Sequence, residues 1–277
     1  MATFLARSAF RAVSHTPRLA FPKAFPKATT SPIALKSSAQ GQGPASRRFL
    51  ASSSSSSSIP SEQPRLRLGS EAPNFQAKTT HGDIDFHQWL GGSWAILFSH
   101  PADFTPVCTT ELGAFARLAP EFERRGVKMI GLSANDLSSH ERWIADINEV
   151  SSTNLQFPII ADADRRVAFL YDMVDAQDLS NIDEKGIAFT IRSVFIIDPQ
   201  KKIRLAMMYP ASTGRNTAEV LRVIDSLQTV DKKGVTTPVD WHLEDDVIVP
   251  PSVSTEDAKK KFGDVREVKP YLRYTRI

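Results

Sequence analysis

The stretch Ser99-His-Pro-Ala-Asp-Phe-Thr-Pro-Val-Cys-Thr-Thr-Glu111 contains the only cysteine in this chain of 277 residues. Thr105 followed by Pro106 is typical of a helix start, with threonine as the N-cap and proline at the first helical position. Cys108 then falls in the first helical turn, where unpaired backbone N–H groups and the positive end of the helix dipole favour a thiolate. The stretch therefore predicts a reactive sulfur at the start of a helix.

The sequence on either side predicts a sheet around this helix. Residues 94–98 are an apolar run typical of a buried strand, and apolar residues recur at helical spacing from Leu112 to Phe122, with Gly126 as the predicted end of a single helix. The other predicted strands are a hairpin at 75–84 and single strands at 127–133, 157–161, 188–197, 203–209 and 271–276. The other predicted helices are a helical turn at 85–90, helices at 164–174 and 217–230, and a helix that begins with a capping box at Ser138. Residues 175–187 are predicted to be a polar loop. The order predicts an α/β sheet with helices on both faces.

The position of Cys108 narrows the fold class. A cysteine that opens a helix after a buried strand occupies the place of the nucleophile in thioredoxin-like folds, although the second cysteine of a Cys-x-x-Cys pair is absent. We therefore predict a thioredoxin-like α/β fold over residues 59–230, with a central mixed sheet flanked by helices. Residues 231–277, rich in proline and acidic side chains, are predicted to be a C-terminal extension too small to hold its own core, which wraps the main domain or a second subunit.

Charge is distributed unevenly along the chain. Residues 1–58 contain eight Lys or Arg and no acidic residue, so the net charge of +3 for the whole chain leaves −5 for residues 59–277. The sequence pI of about 9.0 therefore says nothing about binding partners, and we expect no nucleic-acid partner.

Residues 1–58 have the composition of a mitochondrial transit peptide followed by a serine-rich linker, since they are basic, rich in Ser and Ala, and free of acids. The alternative is an ordinary disordered basic arm. Arg47-Arg48-Phe49 resembles a matrix processing site, and no stretch is long enough to span a membrane. We predict a mitochondrial location, in the matrix.

Several side chains are candidate partners of Cys108. The hydroxyl of Thr105 can hydrogen-bond the thiolate or an oxygen that it attacks, and Pro101 can shield the sulfur from water. Arg192 interrupts an apolar strand, which favours a buried arginine paired with the thiolate over an edge arginine that reaches solvent. His100 is a candidate for orienting a water or a substrate, and Glu111 is either a site residue or only a first-turn helix acid. On composition alone, a single cysteine is more often an inert core residue. Pro101, Thr105 and the helix start favour a reactive Cys108 instead.

These residues resemble a known family. Pro101-x-x-x-Thr105-x-x-Cys108 is similar to the active-site motif of the peroxiredoxins, and the fuller string from His100 to Glu111 resembles their one-cysteine, type-six subfamily. The resemblance runs from about residue 65 to the C-terminus. It includes Tyr209-Pro-Ala-Ser-Thr-Gly-Arg-Asn216, Pro238-Val-Asp-Trp241 and Lys269-Pro-Tyr-Leu-Arg-Tyr274.

The resemblance implies a thiol peroxidase with no cofactor and no metal, acting in antioxidant defence and redox homeostasis. Cys108 would be the peroxidatic cysteine, oxidised to a sulfenic acid by hydrogen peroxide or organic hydroperoxides. Thr105 and Arg192 would polarise the peroxide, Pro101 would shield the sulfur, and Arg215 would be a second, outer arginine.

A partner is also implied, because a single cysteine cannot form an internal disulfide. An external thiol must reduce the sulfenic acid, and glutathione with glutaredoxin or the thioredoxin system are the candidates. Members of the subfamily are typically dimers with a swapped C-terminal region, so a homodimer formed through residues 231–277 is expected.

Two other functions are open on sequence. Some one-cysteine peroxiredoxins are credited with phospholipase activity through a His, a Ser and an Asp, which would fall here on His87, Ser93 and Gln200, with Asp198 nearby. The Gly-x-Ser-x-Gly elbow is broken, however, because Ala95 replaces its last glycine. The other alternative is a redox-regulated chaperone or peroxide sensor that passes oxidation to a client through a mixed disulfide.

Overall fold

The computed structural model describes residues 66–176 and 189–277, so the predicted transit peptide and nearly all of the predicted loop at 175–187 lie outside the described residues. The helices of this part are α1 (Phe86–Leu90), α2 (Pro106–Arg117), α3 (Ala119–Arg124), α4 (Leu137–Ser151), α5 (Arg166–Leu170), α6 (Thr217–Lys233) and α7 (Thr255–Phe262). Its strands are β1 (Gln76–Thr79), β2 (Gly82–Asp85), β3 (Trp94–Ser99), β4 (Val127–Ser133), β5 (Ile159–Ala161), β6 (Arg192–Ile197), β7 (Ile203–Tyr209), β8 (Val247–Ile248), β9 (Val265–Lys269) and β10 (Leu272–Thr275).

Strands β1 to β7 form one mixed sheet in the order β2-β1-β5-β4-β3-β6-β7. The central strand β3 pairs in parallel with β4 and antiparallel with β6, so that Phe98 lies opposite Gly131 on one side and Val194 on the other. Strand β7 closes one edge by antiparallel pairing with β6, where Arg192 faces Tyr209. The predicted mixed sheet is confirmed.

An apolar core lies on each face of the sheet, because successive side chains of a strand point to opposite faces. Ile96 and Phe98 of β3 belong to one core, which also contains side chains of α2, α3, α4 and α6. Ala95 and Leu97 belong to the other core, which α1 and α5 cover. Cys108 lies in the first core, so its sulfur is enclosed by packed structure.

The single helix predicted after Cys108 is wrong, because α2 ends at Arg117 and a separate helix, α3, begins at Ala119. The residue between them, Leu118, caps both helices. Pro120 lies in the first turn of α3, where its missing N–H is tolerated, whereas inside a continuous helix it would remove a hydrogen bond and clash with the preceding turn.

Two other helix boundaries differ from the prediction. The N-cap of α4 is Asp136, whose carboxylate accepts a hydrogen bond from the Ser139 N–H at 2.8 Å, so the capping box at Ser138 is not the helix start. Helix α5 is shorter than predicted, since Arg165 and Asp172 on either side of it adopt positive φ angles of 58° and 51°.

The C-terminal extension has a sheet of its own, in the order β8-β10-β9. Small apolar clusters form around buried Trp241 and Val249, so the prediction that this segment holds no core is wrong. It is joined to α6 by hydrogen bonds from Arg222 to the Trp241 carbonyl at 3.2 Å and between Ser226 and Thr237 at 2.6 Å. Within residues 66–176 and 189–277, each helix is too short or too polar to span a bilayer.

Candidate active site

Cys108 lies in the first turn of α2, directly beyond the end of the central strand β3. Thr105 has the extended backbone of an N-cap and Pro106 is the first helical residue, as predicted. The Thr105 hydroxyl does not cap the helix; it donates a hydrogen bond to the Ala102 carbonyl at 3.0 Å. The residue before it, Phe104, has a positive φ of 54°, a conformation unusual for a side chain of this size, which turns the chain into the helix.

Arg192 is the side chain that faces the sulfur. Its Nη1 lies 3.4 Å from Cys108 Sγ, and both side chains are buried. Nε and Nη2 of the same guanidinium donate to the Ala211 carbonyl at 2.9 and 2.7 Å, which fixes its orientation. Strand β6 lies between β3 and β7, so the alternative of an edge arginine reaching solvent does not apply.

Glu111 follows Cys108 by one helical turn and binds both arginines of the site. Its Oε2 lies 2.6 Å from Arg192 Nη1 and 2.8 Å from Arg215 Nη2, and its Oε1 accepts from the Arg215 backbone N–H at 2.6 Å. Burial alone would raise the pKa of Glu111, but the charge and hydrogen bonds of Arg215 and the charge of Arg192 outweigh burial and lower it. Glu111 is therefore a buried bridge between two cations and more than a helix-start acid.

Arg215 is as deeply buried as Arg192, with 1% of its side chain exposed against 3% for Arg192. Its Nη1 donates to two carbonyls, those of Ser99 at 2.8 Å and Ser193 at 2.9 Å. Its guanidinium lies over the rings of Phe98 and Phe115, 5.5 Å from each centroid. Arg215 is therefore a buried arginine that is linked to Arg192 through Glu111, and its role as a second, outer arginine stays a prediction.

His100 and Pro101 are buried in the loop between β3 and α2. His100 Nε2 lies 2.9 Å from Asp103 Oδ1, while its carbonyl accepts from the Thr190 hydroxyl at 2.6 Å. Both residues help to build the loop before Cys108, and the hydrogen bonds described for His100 do not include one to the sulfur.

Asp103 and His140, which the sequence alone does not single out, meet inside the protein. Asp103 Oδ2 lies 2.7 Å from His140 Nδ1, although the two residues are 37 positions apart in the chain. No local spacing marks such a pair, because only the folded chain brings the two side chains together.

Together with His100 these residues form the one group among residues 66–176 and 189–277 whose ligand atoms lie close enough to share a metal ion, all within 4.8 Å. Ligands about 2.0–2.1 Å from a tetrahedral zinc are about 3.3 Å apart. The N···O distances of 2.9 and 2.7 Å are shorter and are those of hydrogen bonds. These distances do not favour a metal ion at this cluster. The absence of a metal site stays a prediction.

The residues considered for a hydrolytic triad make other contacts. His87 Nε2 lies 2.7 Å from the Ala72 carbonyl, and Asp198 accepts from the backbone N–H groups of Gln200 and Lys202, both at 2.9 Å. In the part of the chain that the structure describes, no hydrogen bond connects His87, Ser93 and Asp198. The geometry does not favour this second activity.

Comparisons with known proteins agree with the geometry around Cys108. Residues 68–206 match the AhpC/TSA family, and residues 226–264 match the C-terminal domain of 1-Cys peroxiredoxin. The chain is 62% identical over 217 residues to the mitochondrial peroxiredoxin PRX1 of Saccharomyces cerevisiae, a match that covers 78% of this chain and 83% of the relative. It is 52% identical over 222 residues to Peroxiredoxin-6 of Gallus gallus, covering 76% and 98% of the two chains.

Solved structures give the same result. The chain is similar to a yeast mitochondrial 1-Cys peroxiredoxin described for its thiol resolving mechanism via glutathione and thioredoxin systems, with a TM-score of 0.69, 56% identity, and 76% and 100% of the two chains covered. A cysteine-to-serine mutant of Peroxiredoxin 6 of Arenicola marina matches with a TM-score of 0.72 and 46% identity, covering 76% and 98%. Given this agreement in sequence, fold and site, the chain belongs to the AhpC/TSA family as a mitochondrial one-cysteine peroxiredoxin, a thiol-dependent peroxidase with a thioredoxin-like fold.

Proposed function

We propose that Cys108 is the nucleophile of this peroxidase and that Arg192 and Thr105 bind the peroxide. The observation that carries the proposal is the 3.4 Å contact between Arg192 Nη1 and Cys108 Sγ at a buried helix start. A cation there stabilises the thiolate and the negative charge that develops on the oxygens during attack.

The reaction is a displacement at oxygen. The thiolate of Cys108 attacks the terminal oxygen of a hydroperoxide, the S–O bond forms as the O–O bond breaks, and the leaving alkoxide or hydroxide takes a proton to become alcohol or water. The sulfur is oxidised to a sulfenic acid and the peroxide is reduced. Since the Thr105 hydroxyl already donates to the Ala102 carbonyl, its oxygen remains able to accept a hydrogen bond from the peroxide.

Glu111, Arg215, His100 and Pro101 are proposed to support this reaction without reacting. Glu111 holds both guanidinium groups, Arg215 ties α2 to the ends of β3 and β6, and the buried Pro101 keeps water from the sulfur. His100 fixes the loop that delivers Thr105 to the site.

The recycling step requires an external thiol, because the chain has no second cysteine. One thiol attacks the sulfenic acid and releases water to give a mixed disulfide, and a second thiol attacks that disulfide to regenerate Cys108. The glutathione and thioredoxin systems described for the yeast relative are the proposed reductants here.

The test is peroxide consumption by the purified chain with two reducing systems in parallel, glutathione with glutaredoxin and thioredoxin with its reductase. We expect turnover with at least one system, none in Cys108→Ser, and sulfenic acid formation on Cys108 alone. If neither system supports Cys108-dependent turnover while the sulfur is oxidised rapidly, the sensor or chaperone function would replace this proposal.

We also propose the domain organisation and the assembly. Residues 1–58 act as a transit peptide for the matrix, residues 59–230 form the peroxidase domain, and residues 231–277 form a dimerisation extension. Exposed apolar side chains on that extension, Val239 at 87% and Tyr271 at 74%, favour a protein partner. Import into isolated mitochondria followed by N-terminal sequencing tests whether residues 1–58 are a transit peptide.

Sedimentation tests the dimer. The wild-type protein should sediment as a dimer and V239K/Y271K as a monomer, and a monomeric wild type would refute dimerisation through the extension.

A further inference from the structure

The carboxylate of Asp103 is the centre of a buried polar cluster behind the active site. Its Oδ1 lies 2.9 Å from His100 Nε2, and its Oδ2 lies 2.7 Å from His140 Nδ1 and accepts from the Ser139 hydroxyl at 2.8 Å. The side chains of His100, Asp103 and His140 are all 0% exposed. Every proton in the cluster must therefore be accounted for within the protein.

Counting donors and acceptors decides the charge of His140. Its second nitrogen, Nε2, lies 3.1 Å from the Ile160 carbonyl oxygen, which can only accept. An ionised carboxylate can also only accept, so a ring placed between the two has to donate from both nitrogens. A ring with a proton on both nitrogens is an imidazolium.

The carboxylate of Asp103 has the contacts of an ionised group. It receives three hydrogen bonds of 2.7 to 2.9 Å from His100, His140 and Ser139. Burial would raise the pKa of Asp103, but the hydrogen bonds and charges of the two histidines outweigh burial and hold it well below its usual range.

His100 is in the opposite state from His140. Its Nε2 donates to Asp103, whereas its Nδ1 is buried and has no hydrogen-bond partner in the described part of the chain. Burial lowers the pKa of His100, an effect that Asp103 opposes and that the positive charges of His140 and Arg215 reinforce. A proton on Nδ1 would be a buried charge without a partner, so the ring is neutral.

We propose that His140 is an imidazolium whose buried ion pair with Asp103 positions the loop before Cys108 and keeps His100 neutral with its proton on Nε2. His140 and Asp103 are positioning residues, since neither contacts the sulfur by a described hydrogen bond. The charged groups that face the pair are His100 on the loop, Asp136 at the start of α4 and, beyond His100, Arg215.

The pair connects the two elements that frame the nucleophile. Asp103 belongs to the loop that leads into α2, and its backbone N–H donates to Asn135 Oδ1 at 3.0 Å. His140 belongs to α4, which also reaches α2 through a hydrogen bond from Trp143 to Thr109 at 3.1 Å. Neutralising His140 would leave His100 as the only cation available to the Asp103 carboxylate, which favours a second proton on His100 although its Nδ1 has no partner.

Nitrogen-15 NMR of the full chain, labelled at histidine, tests the charge directly at neutral pH. We expect protons on both ring nitrogens of His140 and on Nε2 alone for His100, with exposed His81 reporting a solvent-accessible ring. A single proton on His140 would overturn the proposal. A change in these signals on adding EDTA would also overturn it, because a metal ion would then hold the cluster.

Variants separate positioning from simple packing. In His140→Gln we expect His100 to gain a proton at neutral pH, and in the double variant D103N/H140Q we expect it to become neutral again. A packing role would leave the protonation of His100 unchanged in both variants. If H140Q does not fold, the wild-type spectra and Asp103→Asn, in which His140 should lose one proton, still decide the question.

A kinetic measurement follows, and it alone rests on the proposed function of Cys108. We expect the rate of Cys108 oxidation by hydrogen peroxide to fall about tenfold in H140Q, as is common when an outer positioning partner is removed, and to acquire a histidine-like pH dependence. Exposed His242→Gln is the matched control with an unchanged rate. If the NMR spectra show the expected protons but the rate in H140Q is unchanged, the pair is charged but does not position the loop. If the wild-type protein shows no oxidation of Cys108 at all, the proposed role of Cys108 is refuted instead.

Discussion

Glu111 accepts hydrogen bonds from two buried guanidinium groups, so the position of Arg192 and Arg215 depends on one carboxylate. Removing the charge of a buried partner costs more than the interaction gains, because the remaining ions stay desolvated. This places Glu111 among the side chains on which both stability and activity depend.

For Glu111→Gln we expect the free energy of unfolding to fall by about 3–5 kcal/mol, the usual cost of breaking a buried ion pair. Urea unfolding measures this change. The matched control is Glu219→Gln, which breaks a half-exposed pair with Arg222 on α6 and should cost below about 1 kcal/mol. Equal losses in the two variants would contradict the bridging role of Glu111.

For Arg192→Lys we expect the second-order rate of Cys108 oxidation to fall. One ammonium cannot contact the sulfur, Glu111 and the Ala211 carbonyl together, as the guanidinium does. A charged hydrogen bond is worth about 1.5–3 kcal/mol, which corresponds to roughly a 10- to 100-fold loss. Stopped-flow fluorescence measures the rate, and exposed Arg266→Lys should match wild type; an unchanged rate in Arg192→Lys would contradict the contact.

The sequence predicts the role of a residue when its neighbours in the chain indicate that role. Cys108 and Thr105 are recognisable because a threonine–proline helix start lies beside them, and Arg192 because it interrupts an apolar strand. The burial of Arg215 is not recognisable, since its partners Ser99 and Glu111 are more than 100 positions away and only the folded sheet brings them together.

Helix α2 carries the nucleophile and packs against α4 at a point where no side chain fits. A Cβ added at Gly113 would overlap Ser151 Oγ and lie 2.5 Å from Ser151 Cβ. Only glycine at position 113 allows the two helices to approach each other this closely. This contact lies five residues after Cys108.

For Gly113→Ala we expect a loss of about 1–3 kcal/mol in the free energy of unfolding, typical of overpacking a core contact. Gly92→Ala is the control, since a Cβ there meets nothing within 4 Å and the change should stay within about 0.5 kcal/mol. Thermal unfolding measures both. Adding Ser151→Gly to Gly113→Ala should recover part of the loss, and no recovery would show that Ser151 is not the obstacle.

Helices and strands are predictable where the spacing of apolar residues indicates one type of element. Strands β3, β4 and β7 and helix α6 follow their apolar patterns closely. The division between α2 and α3 was missed because the apolar spacing continues through Pro120, so that the pattern favours one helix where the backbone requires two.

The whole molecule combines a mixed sheet, two cores and an extension with a small sheet. Several buried groups have pKa values that folding lowers, namely His100, Asp103 and Glu111. Wherever the unfolded chain binds more protons than the folded chain, stability falls as the pH decreases. Acid sensitivity is therefore a property of the assembled fold and not of its composition.

We expect the free energy of unfolding to decrease below the ordinary histidine pKa of 6.5 because of His100, and to decrease further below 4.5 and 3.8 because of Glu111 and Asp103. Asp162, whose pKa burial raises, acts in the opposite direction in the carboxyl range. Urea midpoints between pH 4 and 6, below the ordinary histidine pKa, measure the effect. Glu111→Gln should flatten only the part below 4.5, and a midpoint that rises on acidification would contradict the prediction.

The charges of Cys108, Glu111, Arg192 and Arg215 have a consequence for the state of the enzyme after it has reacted. While Cys108 is a thiolate, it and Glu111 together match the two positive charges of Arg192 and Arg215. A sulfenic acid is neutral, so each turnover leaves one buried cation without a counterion. The oxidised site therefore favours an incoming thiolate over a neutral thiol, and it also favours a sulfinate, whose negative charge restores neutrality. The same unpaired cation therefore favours both reduction of the sulfenic acid by a thiolate and its further oxidation to a sulfinate, so the two reactions compete.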